Sequence, residues 1–134
     1  MPAEMALELP RLRVAVDAER AAAFARETGL TPAPDRAPLA YPAVWLTAPQ
    51  IYGAVQQICM EAESVPVHEQ QRFRYAAPLR LGESYDLHVV LRREEAPPRL
   101  SVEARIETAG RQVAHIETKL RLVPRALLHK GDAA

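Results

Sequence analysis

The sequence has one cysteine, Cys59, in 134 residues. A single thiol excludes an internal disulfide, so a reducing compartment is expected, the cytoplasm by default. Cys59 lies inside an apolar periodic run and is expected to serve as a small buried hydrophobe. Aromatic residues make up only 5% of the chain, so Ala, Val, Leu and Ile must fill any core. Lysine is nearly absent, because fifteen of the 17 basic residues are Arg. That bias has two readings: a genome rich in Arg codons, or guanidinium groups that grip phosphates bidentately. Net charge is lacking too, since 17 acidic residues cancel the 17 basic ones. No global field draws the chain to nucleic acid or to an anionic membrane. The apolar runs fall short of the ~20 residues that span a bilayer. Residues 1–10 carry no basic region followed by a long apolar run, so no signal peptide is expected.

Several kinds of chemistry are missing as well. There is no Gly-rich phosphate loop, no Ser-His-Asp arrangement and no nucleotide fingerprint. The four His residues have no metal-ligand spacing and no Cys cluster beside them, so neither a metal nor a cofactor is expected. No repeat of 20–50 residues is visible.

What the chain does have is 49% apolar residues and a length that suits one domain. Residues 9–124 hold the periodic segments, and residues 1–8 and 125–134 read as loose ends. Leu12, Val14 and Val16 alternate with Arg11, Arg13 and Ala15, which predicts a short strand. Asp17 offers an N-cap and Gly29 a stop, which predicts a short helix over residues 17–28. Four prolines make residues 30–43 an irregular connection. Ala48, Ile51, Tyr52, Val55, Ile58 and Cys59 then recur at helical steps. This main helix is expected over residues 47–60, with Thr47 as its cap and Pro49 tolerated in the first turn.

After Pro66 the period becomes two. Val67, Glu69, Gln71, Phe73 and Tyr75 share one face of a strand, and Tyr85, Leu87, Val89 and Leu91 share a face of the next. Leu100 to Ile106 and Ala114 to Leu122 continue the pattern, with turns at Pro78 to Gly82, Ala96 to Pro98 and Ala109-Gly110. Four antiparallel strands with one apolar face must cover that face. The long helix is the element with a matching stripe, so an α+β fold is expected: a curved antiparallel sheet wrapped around one central helix.

Over residues 12–123 this pattern resembles the hotdog fold. The carrying residues are Val67-His68-Glu69-Gln70-Gln71-Arg72-Phe73-Arg74-Tyr75 and Pro78-Leu79-Arg80-Leu81-Gly82-Glu83-Ser84-Tyr85. Within the fold they are similar to MaoC-like dehydratases and hydratases, particularly the short N-terminal-type halves. Asp17 to Gly29 is like the family's leading helix, and Tyr41-Pro42-Ala43-Val44-Trp45 is like the start of its central helix. The resemblance implies acyl thioesters of coenzyme A or acyl carrier protein as ligands. It also implies side-by-side pairing with a second hotdog, as a homodimer or heterodimer, with ligand held at the interface.

Hydratases of the family carry an Asp and a His in the loop after the leading helix, where they activate water and manage the α-carbon proton. The corresponding residues 28–36 contain Asp35 but no His. The departure points to a subunit that relies on a partner for dehydration or hydration of 3-hydroxyacyl and enoyl thioesters. A non-catalytic acyl-thioester-binding dimer and a hotdog acyl-CoA thioesterase are the alternatives, although no His-Gly-Gly motif is present.

His68 is the candidate acid-base residue, because an unperturbed imidazole changes charge near neutrality. Read by simple alternation, it shares a polar face with Gln70, Arg72 and Arg74, and a surface role competes. His88 and His115 fall on polar strand faces. Tyr41, Trp45, Thr47 and Tyr52 are candidate substrate-binding residues around the central helix start, with core packing as the rival reading. Free N–H groups at that start could polarise a thioester carbonyl, though Pro49 removes one. Arg72, Arg74 and Arg80 are phosphate-binding candidates. Glu61, Glu63 and Glu69 could serve as carboxylates or simply be solvated.

Overall fold

Strict alternation in the second half of the chain produces three long strands that pair in sequence. The computed structural model describes residues 4–132, with side chains through residue 128. Its elements are β1 (Ala6–Glu8), β2 (Leu12–Ala15), α1 (Ala18–Glu27), a 3-10 segment (Tyr41–Thr47), α2 (Pro49–Glu61), β3 (Ser64–Tyr75), β4 (Ser84–Glu95), β5 (Pro98–Thr108), β6 (Arg111–Pro124) and α3 (Arg125–Asp132). All pairings are antiparallel, in the order β1-β4-β5-β6-β3, and β2 also pairs with β4. β1 and β2 thus act as one interrupted strand along β4. β3 is an edge strand with β6 as its neighbour.

One face of this sheet is apolar, and α2 covers it. Leu87, Leu91, Leu100, Ala104, Ile106 and Ile116 have no exposed surface, and they form one cluster with Ile51, Ile58 and Cys59 of α2. Each large aliphatic side chain buried this way contributes about 1.5–3 kcal/mol, and this burial is what chiefly holds helix to sheet. Burial also raises the Cys59 thiol above its ordinary range, as fits a small hydrophobe. No helix among the described residues is long and apolar enough to cross a membrane.

The leading helix forms as expected. The Asp17 carboxylate accepts from Arg20 N–H at 2.8 Å. At the other end Gly29 adopts φ +79°, where a side chain would be strained, and Leu30 N–H reaches back to Ala25 O at 2.7 Å.

The central helix differs from expectation. It begins at Pro49, its cap is Ala48, and no side chain bonds that cap. Thr47 closes the preceding 3-10 segment, donating its hydroxyl to Val44 O at 2.6 Å. The reason is Pro49 itself: its ring excludes the helical region for the residue before it, and Ala48 is extended at ψ 140°. A helix cannot run through that junction, so residues 41–47 form a turn of their own rather than a tail of the loop.

Both ends also differ. Residues 6–8 pair with Val90–Arg92, and residues 125–132 are helical, with Arg125 N–H bonded to Glu63 O at 3.0 Å. Sheet pairing and helix docking order segments whose side chains show no clear period. Residues 1–3 and 133–134 lie outside the described part.

The proline-rich connection is anchored rather than loose. Ala37 N–H bonds Leu79 O at 2.9 Å, Leu81 N–H bonds Asp35 O at 3.2 Å, and the Tyr75 hydroxyl donates to Leu39 O. Burial pushes the Tyr75 phenol up to about 12.

Two outcomes follow. Leu87→Ala, at 0% exposure, should cost about 2–5 kcal/mol in denaturant unfolding. Leu39→Ala, at 65% exposure, should stay within about 0.5 kcal/mol. The second outcome concerns alkali. Folded Tyr75 holds its proton more tightly than the unfolded chain, so its contribution is full below pH about 10 and is lost as the pH rises through 12. Tyr75→Phe should therefore show a shallower fall in denaturation midpoint above about pH 10 than the wild type. Equal slopes would remove Tyr75 from the alkaline transition.

Candidate functional site

The alternation of β3 is interrupted. His68 sits opposite Leu120 and Gln70 opposite Lys119, so Glu69 is an extra residue, a β-bulge. Tyr75, Phe73 and Gln71 lie opposite Ala114, Ile116 and Thr118 on the helix-facing side, as the alternation implies. Past the bulge the phase reverses. His68 and Pro66 take the helix-facing side, and Val67 and Glu69 do not. The expected shared face of Val67, Glu69 and Gln71 is therefore corrected, and so is the grouping of His68 with Arg72 and Arg74. A one-residue insertion in a period of two moves every later side chain to the opposite face.

Glu69 has a reason to stay outside. Arg99 Nη2 lies 3.0 Å from its carboxylate and Arg121 binds the other oxygen. These guanidinium groups, Arg99 first, hold the Glu69 carboxyl below its usual range.

His68 thereby faces a cleft of about 320 Å³ between the start of α2 and the strands β3, β5 and β6. Its walls are apolar, with Leu46, Ile51 and Val55 on the helix side and Val102 and Leu120 on the sheet side. Thr47, Tyr52, His68, Gln71 and Thr118 supply the polar groups. Gln71 donates its side-chain amide to the Thr118 hydroxyl at 3.2 Å. Tyr52, 54% exposed, stands at the mouth.

Of the candidate substrate-binding residues, Thr47 and Tyr52 line this cleft and Tyr41 and Trp45 do not. Tyr41 and Trp45 are buried in an edge-to-face aromatic row, with ring centres 5.9 Å apart for Phe24–Tyr41 and 6.0 Å for Tyr41–Trp45. Burial raises the Tyr41 phenol above its ordinary range. The two rings border a different groove, beside Asp17 and Arg20. The helix start offers less than its position suggests. Ile51 and Tyr52 N–H both bond Ala48 O, at 3.0 and 2.8 Å, and Pro49 has no N–H. Gln50 N–H is the amide of that turn with no backbone acceptor among the described residues.

The three arginines do not converge. Arg72 and Arg74 project from the outer side of β3, opposite Glu117 and His115. Arg80 lies at a bridge to Arg36, in the connection before β4. Among the described residues no carboxylate lines the cleft. Gln57 bonds Glu61 at 3.1 Å on the exposed side of α2, and Glu63 accepts from Arg125 through its backbone. Asp35 is bonded by Arg36 at 3.3 Å, which holds its carboxyl below the usual range. No group of three potential metal ligands exists among the described residues.

Two polar features escaped the sequence reading. Gln71 and Thr118 interrupt apolar stripes, on β3 and β6 respectively, and a polar residue on an apolar face is a usable signal. His88 gave no such signal, yet it is buried on the outer face of the sheet. Its Nε2 lies 2.5 Å from Glu8 Oε1, and Arg105 donates to its Nδ1. With Nδ1 accepting, Nε2 carries the proton and donates to Glu8, tying β1 to β4.

No protein-family model matches the chain, and no curated protein matches it. Solved structures do. HtdX of Mycobacterium tuberculosis aligns over 84% of this chain with TM-score 0.61 and 16% identity. The HadBC 3R-hydroxyacyl-ACP dehydratase complex of the same organism aligns over 88% of this chain and 96% of its own, with TM-score 0.59 and 18% identity. This chain has the hotdog fold. The (R)-hydratase from A. caviae, with TM-score 0.55 and 19% identity, covers 92% of this hotdog and 98% of its own chain. A gentisyl-coenzyme A thioesterase also aligns, at TM-score 0.56 and 10% identity, over 84% of this chain and 87% of its own. The hotdog described here spans half the length of HtdX.

The Glu69 bulge generates a pH dependence. A lowered carboxyl pKa contributes stability above its ordinary value, and that contribution is lost as the pH falls through the folded value. Glu69→Gln should remove part of the acid-side fall in denaturation midpoint seen in the wild type between about pH 5 and about pH 3. An identical acid profile in the variant would mean that the two arginines do not favour the ionised form.

Proposed function

We propose that this chain is a MaoC-like hotdog subunit that binds an acyl thioester of coenzyme A or of an acyl carrier protein. It serves dehydration or hydration of 3-hydroxyacyl and enoyl thioesters beside a second hotdog chain, in the cytoplasm, as one domain. The observation that carries this reading is the cleft between α2 and β3: apolar walls, an inward His68 and, among the described residues, no lining carboxylate.

Hydration of an enoyl thioester needs one group to activate water and an acid-base partner for the α-carbon proton. His68 can supply one of these functions. Glu69 adjoins it in sequence but is held on the opposite face by Arg99 and Arg121. Asp35, in the loop where the family carries its acid, is paired with Arg36 instead. The missing group would come from another chain. β3 offers a place for one, as a twelve-residue edge strand with β6 as its neighbour. Such an edge is a template for a further strand, and that strand would lie beside His68. The resemblance in fold to the HadBC complex supports a paired arrangement.

The same features suit a non-catalytic dimer that binds a thioester, and the fold is shared with a thioesterase. Purified chain assayed alone on crotonyl-coenzyme A should bind it saturably and turn it over no faster than background. Robust hydration that His68→Ala abolishes would replace the subunit with a self-sufficient hydratase. Release of free coenzyme A thiol would make it a thioesterase. Native mass with co-purified partners should show a second hotdog chain bearing the Asp/His pair. A stable homodimer lacking such a partner would favour the non-catalytic dimer.

A further inference from the structure

The cleft contains a polar pair where an alkyl-binding pocket would be apolar throughout. Thr118 is 3% exposed and lines the cleft between Val102 and Leu120. Its hydroxyl meets the Gln71 side chain at 3.2 Å. In that bond the amide uses one of its two N–H groups and the hydroxyl uses one lone pair. The hydroxyl proton, the second amide N–H and the amide oxygen remain. If the amide is turned over, the hydroxyl donates to the amide oxygen, and a hydroxyl lone pair and the amide N–H groups remain. In either orientation both a donor and an acceptor remain on the pair, of which Thr118 is buried and Gln71 exposed.

An alkyl chain laid over this pair would strip it of water and return nothing. A site that hydrogen-bonds a ligand hydroxyl rejects the analogue lacking it, because its own polar groups are then left unpaired. Size is the second constraint. The cleft holds about 320 Å³, the low end of the roughly 300–1,000 Å³ usual for small-molecule pockets. A short acyl chain matches that size.

We propose that the cleft selects a short acyl chain whose far end carries a hydroxyl or carbonyl group, recognised by Gln71 and Thr118. This rests on the acyl-thioester reading above and names the substrate class within it. The apolar walls take the methylene groups, and the polar pair takes the terminal oxygen.

The test compares two thioesters of equal length on the protein isolated in its native assembly. They are 5-hydroxypentanoyl-coenzyme A and hexanoyl-coenzyme A, which differ by a terminal hydroxyl in place of a methyl. Calorimetry should show the hydroxylated ligand binding roughly ten-fold tighter. Thr118→Val, nearly isosteric, should erase that preference. Gln71→Met combined with Thr118→Val should reverse it in favour of hexanoyl-coenzyme A, a gain that also shows the variant to be folded. Equal affinities in the wild type, or a preference untouched by Thr118→Val, would overturn the selectivity while leaving the thioester reading in place. Binding of neither thioester would overturn that reading and this inference together.

Discussion

The burial of one helical stripe against one sheet face organises everything else in this protein. Ile51, Ile58 and Cys59 pack in one cluster with Leu87, Leu91, Leu100, Ile106 and Ile116, so the helix stripe and the sheet face cover each other. Because aromatic residues are few, aliphatic packing carries this contact, and the large rings cluster beside it in the row Phe24, Tyr41, Trp45 and Tyr85. Once α2 is fixed against the sheet, the cleft lies where the helix start meets the edge strand β3. The site is therefore a by-product of the core, and its walls share residues with it.

Two local departures from regularity shape that cleft. Pro49 forces Ala48 out of helical geometry, which separates the 3-10 segment from α2 and places Thr47 at the cleft rather than in a cap. Glu69 bulges out of β3, which turns His68 inward and puts the neighbouring carboxylate on the far side. The first device limits the free amides of the helix start. The second gives the cleft an imidazole but denies it an acid. Together they leave the cleft with an imidazole and, among the described residues, no lining carboxylate, which is the arrangement from which the proposed second chain at the edge of β3 follows.

The outer face of the sheet has its own order. Glu8, His88 and Arg105 form a continuous array across β1, β4 and β5, and Glu69, Arg99 and Arg121 form another across β3, β5 and β6. Both link strands distant in sequence, and both place charged or titratable groups away from the cleft. The Arg-rich composition finds much of its use here. Arg92 pairs with Glu103 at 2.8 Å and Arg13 with Asp86 at 3.0 Å, so these guanidinium groups already have carboxylate partners.

The sequence by itself determined the order of strands and α-helices from β2 to β6, the faces of β4 to β6, the leading helix with its Asp17 cap and Gly29 stop, and thereby the hotdog architecture. These features follow from local periodicity and from the conformations that single residues allow, which neighbours in the chain reveal. Tertiary structure alone decided that residues 6–8 become a strand, that His68 faces the helix while Tyr41 and Trp45 are buried elsewhere, and that Gln71 meets Thr118. Each of those outcomes depends on a partner distant in the chain. A bulge in particular leaves no mark in composition: it is selected by what the displaced side chain finds on the other face, here Arg99 and Arg121 waiting for Glu69.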